Sequence, residues 1–469
     1  MIAMNPLRFH HFLSVGAFLL FLINLSAAAQ ETRHLTLAES IEIAKQNNLS
    51  IQMAEQNLKT AETQVRTARA GLLPRMTANG NYTYFKDIQK SVIQADGGFG
   101  FPMPGGENNE MPTPSTDSEA DLIELEFGAH HNLQGTLSLT QPIFAWGRYY
   151  YGYQAAKLNY QAAQQDVNAA YNQLRLDVSE AFHGALIAEE FVRVAQQNVR
   201  LIEMQLGIAE TSFQAGSATG FDVLRAKVQL ANAKSQLVHA ENAAVTATDA
   251  YKTVLNIPLA EDISVKGTLD IPEKQQLPNF NLNTLIEQAI KNRPEVRRTG
   301  FSENAARKQV DVAKTRRLPD LGFFTNYQIS QNERLTQMNR IWSLGFQINI
   351  PIFDGFATSA AVQHSESVLK QAQLGGAQVK TSVEFEVRNA YLNLISAQTR
   401  IEVQREAVTQ AQESVRMANL QFQNGIITTV ALTDTQLALA QAEANRLQAY
   451  HDYVVGLARL EKAICETLQ

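Results

Sequence analysis

An apolar repeat of alternating three- and four-residue steps runs unbroken from Val178 to Phe213 and returns, 209 residues later (387 − 178 = 209), from Val387 to Phe422. The first copy reads Val178, Ala181, Ala185, Ala188, Val192, Ala195, Val199, Ile202, Leu206, Ala209, Phe213; in the second, only Gln404 breaks the apolar run. A sustained heptad whose seam is rich in alanine describes long helices that supercoil at close approach. If continuous from Gly147 to Phe213, the first helix rises on the order of 100 Å at 1.5 Å per residue. That is too long for a compact enzyme core. The helix returning from about Thr219 to Leu255 carries its own seam, through Ala226, Leu230, Ala233, Leu237 and Tyr251.

The duplication extends beyond the coils. Leu73-Pro74 recurs as Leu318-Pro319, Ala44 as Ala289, and Tyr82 as Tyr327, all at an offset of 245 (318 − 73 = 245). Pro142-Ile143-Phe144 recurs as Pro351-Ile352-Phe353 at the coil offset of 209. One length difference between Tyr82 and Pro142 accounts for the change. Each half therefore reads helix, strand, loop, strand, helix, turn, helix. The expected organisation is a first repeat over 30–279, with strands near 73–86 and 125–144, a helical hairpin over about 147–256 and a linker over 257–279. A second repeat over 280–469 has strands near 319–330 and 341–353 and a hairpin over about 356–465. A unit of this length is too large for a solenoid repeat.

Residues 1–29 have the pattern of a secretory signal: a weakly basic start with Arg8, an apolar stretch from Phe12 to Leu25, and Ala27-Ala28-Ala29 as a cleavage site. No later stretch offers the roughly 18 apolar residues of a membrane-spanning helix. The formal charge of −6 and the lack of a basic run speak against a nucleic-acid partner. The one cysteine, Cys465, has no intrachain disulfide partner and reads as a small core residue in the last helix.

The strands nevertheless carry a membrane pattern. Trp342, Leu344, Phe346, Ile348, Ile350 and Ile352 alternate with Ser343, Gly345, Gln347 and Asn349. Leu133, Leu137, Leu139 and Ile143 alternate with Gln134, Thr136, Ser138 and Thr140. Met76, Ala78, Tyr82 and Tyr84 oppose Arg75, Thr77, Asn79, Asn81 and Thr83, and Leu321, Phe323, Tyr327 and Ile329 oppose Asn326 and Gln328. Alternation over about ten residues, with aromatics near strand ends (Tyr82, Tyr84, Phe144, Trp146, Trp342), suits a lipid-facing wall around a water-filled lumen. Gln89–Ala120, rich in Gly, Pro, Asn and acidic residues, reads as a mobile external loop. Four strands are too few to close a barrel, and open edges are excluded from lipid. Each chain is therefore expected to supply four staves to a barrel shared between copies.

The Leu-Pro ending of the first helix, the Pro-Ile-Phe ending of each second strand, and the turn from Phe213 to Gly216 followed by Asp222, Val223, Leu224 and Ala226 resemble the TolC-like outer-membrane efflux proteins. The resemblance covers essentially the whole mature chain. It implies a mainly α, α+β fold: a homotrimer forming a twelve-stranded transmembrane β-barrel, four strands per chain, continuous with a long periplasmic α-helical barrel. It implies a passive exit duct for tripartite efflux or type I secretion, placed in the outer membrane and extending into the periplasm. Its implied partners are a periplasmic adaptor (membrane fusion protein), an inner-membrane transporter and outer-membrane lipid. Family members close at the helix turns with acidic side chains, which makes Asp434 and Asp222 the candidate gate residues. Ala431 stands where archetypal members have a second acid, so only one acidic ring is expected in the second half. The turn residues Gly216, Gly425, Phe213 and Phe422 are possible adaptor contacts. Thr219 followed three residues later by Asp222 also fits a helix-capping pattern.

An enzyme is not expected. The adjacent His130-His131 pair has no metal-ligand spacing, and neither a GxSxG sequence, a phosphate-binding loop nor a dinucleotide fingerprint is present. No cofactor is called for, and energy for transport must come from elsewhere. The alternative reading is a structural or adaptor-like periplasmic coiled-coil protein whose alternating segments form a wet soluble sheet.

Overall fold

A computed structural model describes residues 33–94, 122–127, 129–267, 281–332 and 338–467. The secretory segment expected at 1–29 and most of the loop expected at 89–120 lie outside them. In chain order the elements are β1 (Arg33–Leu35), α1 (Leu37–Asn47), α2 (Leu49–Ala70), β2 (Arg75–Tyr84), β3 (Gln89–Gln94), β4 (Leu122–Phe127), β5 (His131–Phe144), α3 (Arg148–Gln214) and α4 (Gly220–Leu255). They continue as β6 (Ile263–Val265), α5 (Leu282–Asn292), α6 (Pro294–Thr315), β7 (Asp320–Asn332), β8 (Asn339–Asn349), α7 (Ala357–Gln423) and α8 (Thr429–Ile464). Paired helices agree in length: α3 and α7 have 67 residues each, α4 and α8 have 36. The loop expected from Gln89 opens instead on a strand, β3, which pairs antiparallel with β4 from Gln89↔Phe127 to Gln94↔Leu122.

The chain divides into two compact units. The helical unit comprises residues up to Leu58, Ala162–Thr299 and Gly375–Gln469. Its cores follow the heptads. Val178, Ala185, Val199, Ile202 and Ala209 are buried on α3, and Val387, Leu394, Ala397, Ile401, Val408 and Ala418 on α7. One cluster gathers α5, α7 and α8 around Leu285, Val387, Leu394, Leu460 and Ile464. Another gathers β1, α1, α3, α4 and β6 around Leu35, Ala44, Val178, Phe182, Tyr251 and Leu255. A third, between α3 and α4, centres on Val199, Ile202 and Ala233. The short parallel pair β1–β6, from Arg33↔Ile263 to Leu35↔Val265, clips the segment after α4 against the one just before α1.

Helix ends are set by local chemistry. Thr36 caps α1 in a capping box with Glu39. Asn256 and Cys465 end α4 and α8 in the left-handed conformation, at φ 53° and 58°. Cys465 is thus not a helix-core residue as the sequence suggested. It is the C-cap of α8, half-buried, with its sulfur accepting a hydrogen bond from Asn172 Nδ2 at 2.9 Å.

The strand unit comprises Lys59–Gln161 and Gly300–Leu374. Its main sheet has the order β2-β5-β7-β8, every pair antiparallel. A register shift between Pro142 and Phe144 marks the end of β5 where proline removes a ladder donor.

Candidate functional site: the sheet wall and the hairpin turns

The register sorts the sheet into two chemically distinct faces. Ala78, Leu137, Tyr327 and Trp342 form one cross-strand row, and Met76, Leu139, Thr325 and Leu344 the next. On the opposite face run Asn79, Thr136, Gln328 and Ile341, then Thr77, Ser138, Asn326 and Ser343. Trp342, Leu344, Phe346 and Ile348 are exposed at 61–72%. Such a set of bare apolar side chains is stable only against lipid or a partner. β2 and β8 each have one neighbour only among the described residues, so both edges present unpaired backbone groups.

Phe324 is a residue the alternation did not reveal. It stands on the polar face, in a row with Arg75 and Thr140, and its ring lies across Gly345, where a Cβ would come within 3.0 Å of it. A side chain there would have to push the ring aside. At the far end of the sheet His131 Nδ1 lies 2.7 Å from the Tyr82 hydroxyl, and His130 Nδ1 lies 2.8 Å from the Phe85 carbonyl. No group of three metal-ligating side chains is present among the described residues.

The strand-to-helix corners share an unusual backbone. Trp146-Gly147 has φ values of 49° and 80°, and Gly355-Phe356 has 63° and 66°. A left-handed backbone costs a residue with a side chain about 1–2 kcal/mol. Trp146 is held there by Nε1 donating to the Pro319 carbonyl at 2.8 Å, and Arg148 next to it pairs with Asp320 at 2.8 Å. Asp354 accepts from the Thr358 amide at 2.8 Å and from its hydroxyl, which starts α7.

In the helical unit the two hairpin turns repeat one construction. Gly216 and Gly425 are left-handed, at φ 72° and 69°. Ser217 N–H bonds to the Ser212 carbonyl, and Ile426 N–H to that of Gln421, the six-to-one bond of a Schellman ending. Phe213 is 51% exposed and packs near Gly220, whereas Phe422 is half-buried in an apolar groove of about 890 Å³ between α3, α7 and α8. Leu201, Met204, Ile208, Val415, Leu432 and Leu439 line that groove. Beside it Gln205, buried at 5%, bonds to Gln436 and accepts from Thr433.

The two candidate acids differ sharply. Asp222 completes a capping box: its Oδ2 accepts from the Thr219 amide at 2.9 Å and hydroxyl at 2.7 Å, while its own amide donates to Thr219 Oγ1. Those bonds, the hydroxyl's first, hold its carboxyl below the ordinary aspartate range. Asp434 is exposed and has no hydrogen-bond or ion-pair partner among the described residues. Along α4 an exposed apolar line runs through Phe221, Leu224, Val228, Val238 and Val245.

A sheet with a lipid-suited face, open edges and long helical hairpins defines a channel-forming protein of the outer membrane. The chain belongs to the outer membrane efflux protein family, which matches it over residues 40–256 and 285–466. It is 22% identical over 452 residues to the alkaline protease secretion protein AprF of Pseudomonas aeruginosa, covering 95% of this chain and 86% of that one. In fold it matches the outer-membrane channel OprN at a TM-score of 0.74 and 18% identity, covering 92% and 90% of the two chains. The open-state MtrE outer-membrane channel of Neisseria gonorrhoeae matches at 0.72 and 20% identity, covering 92% and 89%. The chain is an exit duct of the outer membrane, and its fold is that of channel proteins rather than enzymes. The adaptor-like alternative has no observation in its favour.

Proposed function

We propose that three copies close one duct, a twelve-stranded barrel continued by a tube of helical hairpins, through which substrates delivered by an inner-membrane transporter and a periplasmic adaptor leave the cell passively. The observation that carries this reading is the pair of open edges, β2 and β8, on a sheet with one apolar exposed face. Unpaired backbone in hydrocarbon costs several kcal/mol per group, so the edge of one copy has to meet that of the next. The exposed line on α4 supports the same closure among the helices, since only a neighbouring coil removes it from water.

At the hairpin turns the reading assigns the gate to Asp434. Three symmetry-related carboxylates around a narrow axis repel one another, favour cations and offer a site for a multivalent cation to block. Asp222, engaged by Thr219, serves its helix first and the gate second. The turns at Gly216 and Gly425, with Phe213 and Phe422, together with the groove between α3, α7 and α8, form the surface offered to the adaptor.

Planar-bilayer conductance of the detergent-extracted oligomer tests the reading, with wild type beside Asp434→Ala and with a trivalent cation on the turn side. Discrete cation-selective steps, blocked by the trivalent ion in wild type and unblocked in the variant, are the expected result. Steps that the substitution leaves unchanged would remove Asp434 from the gate. A folded oligomer without conductance would overturn the duct.

A further inference from the structure

Both corners between sheet and helix place an aromatic residue on left-handed backbone although a glycine sits beside it. At the offset of 209, Trp146 aligns with Gly355 and Gly147 with Phe356, so the order of glycine and aromatic is exchanged between the halves. The turn geometry alone favours glycine or asparagine at such positions. An aromatic retained at each corner, in either order, indicates a role outside the turn. Neither ring is buried by the fold: Trp146 is 46% exposed and Phe356 73%. Each is met edge-to-face by a second ring, Phe144 at the end of β5 at 5.0 Å and Phe353 in the segment after β8 at 5.7 Å between centroids.

Charge accompanies the Trp146 pair. The indole donates to Pro319, and the two residues just before Leu318-Pro319 are Arg316 and Arg317, both exposed beyond the last turn of α6. Neighbouring charges are already matched: Arg148 with Asp320, and Lys314 with Glu366. Arg316 and Arg317 have no ion-pair partner among the described residues. Two exposed arginines without an ion-pair partner, three and two residues before the carbonyl to which an exposed indole donates, at the helix end of a lipid-suited sheet, match the chemistry of a phosphate headgroup above an acyl chain.

We propose that this foot of the sheet binds an anionic phospholipid of the periplasm-facing leaflet, with Arg316 and Arg317 holding the headgroup and Trp146 and Phe144 seated at the depth of the upper acyl chain. The proposal rests on the outer-membrane placement of the sheet, with its helix end toward the periplasm. Such a site fixes the depth of the barrel and selects its lipid neighbours. Complementing the end of the α6 dipole is the competing role for the two arginines, and it predicts no dependence on lipid headgroup.

The chain has two tryptophans, so Trp342→Phe leaves Trp146 as the single tryptophan, which is excited selectively at the red edge where tyrosine does not absorb. The intact oligomer carrying that substitution is reconstituted into phosphatidylcholine vesicles containing an equal fraction of acyl-brominated phosphatidylglycerol or acyl-brominated phosphatidylethanolamine. The brominated phosphatidylglycerol is expected to quench Trp146 with roughly fivefold or greater preference at low salt, declining as salt rises. Arg316→Gln with Arg317→Gln should abolish the preference while quenching itself remains, and the double Lys variant should keep it. If the double Gln variant does not assemble, each single Gln variant is expected to reduce the preference. Equal quenching by the two lipids in the parent, a preference that survives the Gln substitutions, or no quenching by either lipid would each overturn the proposal.

Discussion

In the first half of the chain α1 meets α2 at Asn48, whose Nδ2 donates to the Val254 carbonyl at 3.3 Å while its Oδ1 accepts from the Ser50 amide at 2.8 Å. In the second half α5 meets α6 at Arg293, whose guanidinium is 4% exposed and pairs with Glu386 at 2.5 Å and Glu295 at 3.0 Å, with Lys462 on the other oxygen of Glu386 at 2.7 Å. The two joints share a backbone, with extended caps at φ −66° and −63°. One neutral amide and one four-charge network hold the same bend. The helix starts differ too: Asp222 completes a box with Thr219, whereas the second half has Ala431 there, and Thr428 caps α8 alone. Duplication preserved the geometry and left the chemistry of each joint free to diverge, because a bend needs its backbone groups satisfied but does not dictate by what.

The core gives the sharpest contrast. Leu394 is fully buried, and its counterpart at the offset of 209 is Ala185, also buried. Leu394→Ala is expected to cost about 2–5 kcal/mol, and Ala185→Leu about 1–3 kcal/mol through overpacking, both read from thermal or denaturant unfolding of the detergent-extracted protein. Equal tolerance at the two sites would mean that the halves pack alike.

Glu386→Gln is expected to cost about 2 kcal/mol, below the 3–5 kcal/mol of a fully buried broken pair because Glu386 is 37% exposed. Asp177→Asn, its counterpart, should change stability by no more than about 0.5 kcal/mol. Hydrogen exchange at the ends of α5 and α6 would locate the loss. Comparable effects from both substitutions would erase the distinction between the joints.

Acid separates the joints without mutation. Burial by itself would raise Glu386 and Glu295, but Lys462 with Arg293 for the first, and Arg293 for the second, hold both below the ordinary carboxylate range. A depressed folded pKa contributes stability above the unfolded value, near 4.5 for glutamate, and that contribution is lost as pH falls through the folded value. Exchange protection around Arg293 should therefore drop as pH falls below about 4.5, before that around Asn48, which does not titrate. Simultaneous loss at both joints would contradict the ion network as the second joint's fastening.

The smallest effect is at the caps. Thr219→Ala is expected to cost about 1 kcal/mol and Thr428→Ala less, since only the first dismantles a reciprocal box. Ala431→Asp should build the missing box and slow exchange in the first turn of α8. No change in that turn would show that the box is not what distinguishes the two helix starts.

Much of the helical fold was legible because its period is local. Val178, Ala185, Val199, Ile202 and Ala209 on α3, and Val387, Leu394, Ala397, Ile401, Val408 and Ala418 on α7, are buried heptad positions, while Phe182, Leu186, Ile187 and Gln205 are buried off the seam, and the turns fall at glycines whose left-handed backbone few other residues adopt as readily. Most of each sheet face was legible from period-two alternation; Phe324 and Ile341 on the polar face and Thr325 on the apolar one depart from it, and the ring of Phe324 lies across a glycine of the neighbouring strand. Pairing between β1 and β6 was not legible, since three-residue strands over two hundred residues apart carry no periodic signal. The ion network at Arg293 was hidden for the same reason: Glu386 is 93 residues away. Of the two candidate acids, the pattern around Asp222 announced its cap, while nothing around Asp434 announced its lack of a partner.

By itself the sequence determined the long coils, the alternating strands, the duplication and hence the family, because each is written in residues that are neighbours or lie a fixed step apart. Only the tertiary structure decided which charges pair, which aromatic residues bear a left-handed backbone, and which sheet edges stay open. Those outcomes depend on distances between segments remote in sequence, where burial, electrostatics and backbone pairing act together.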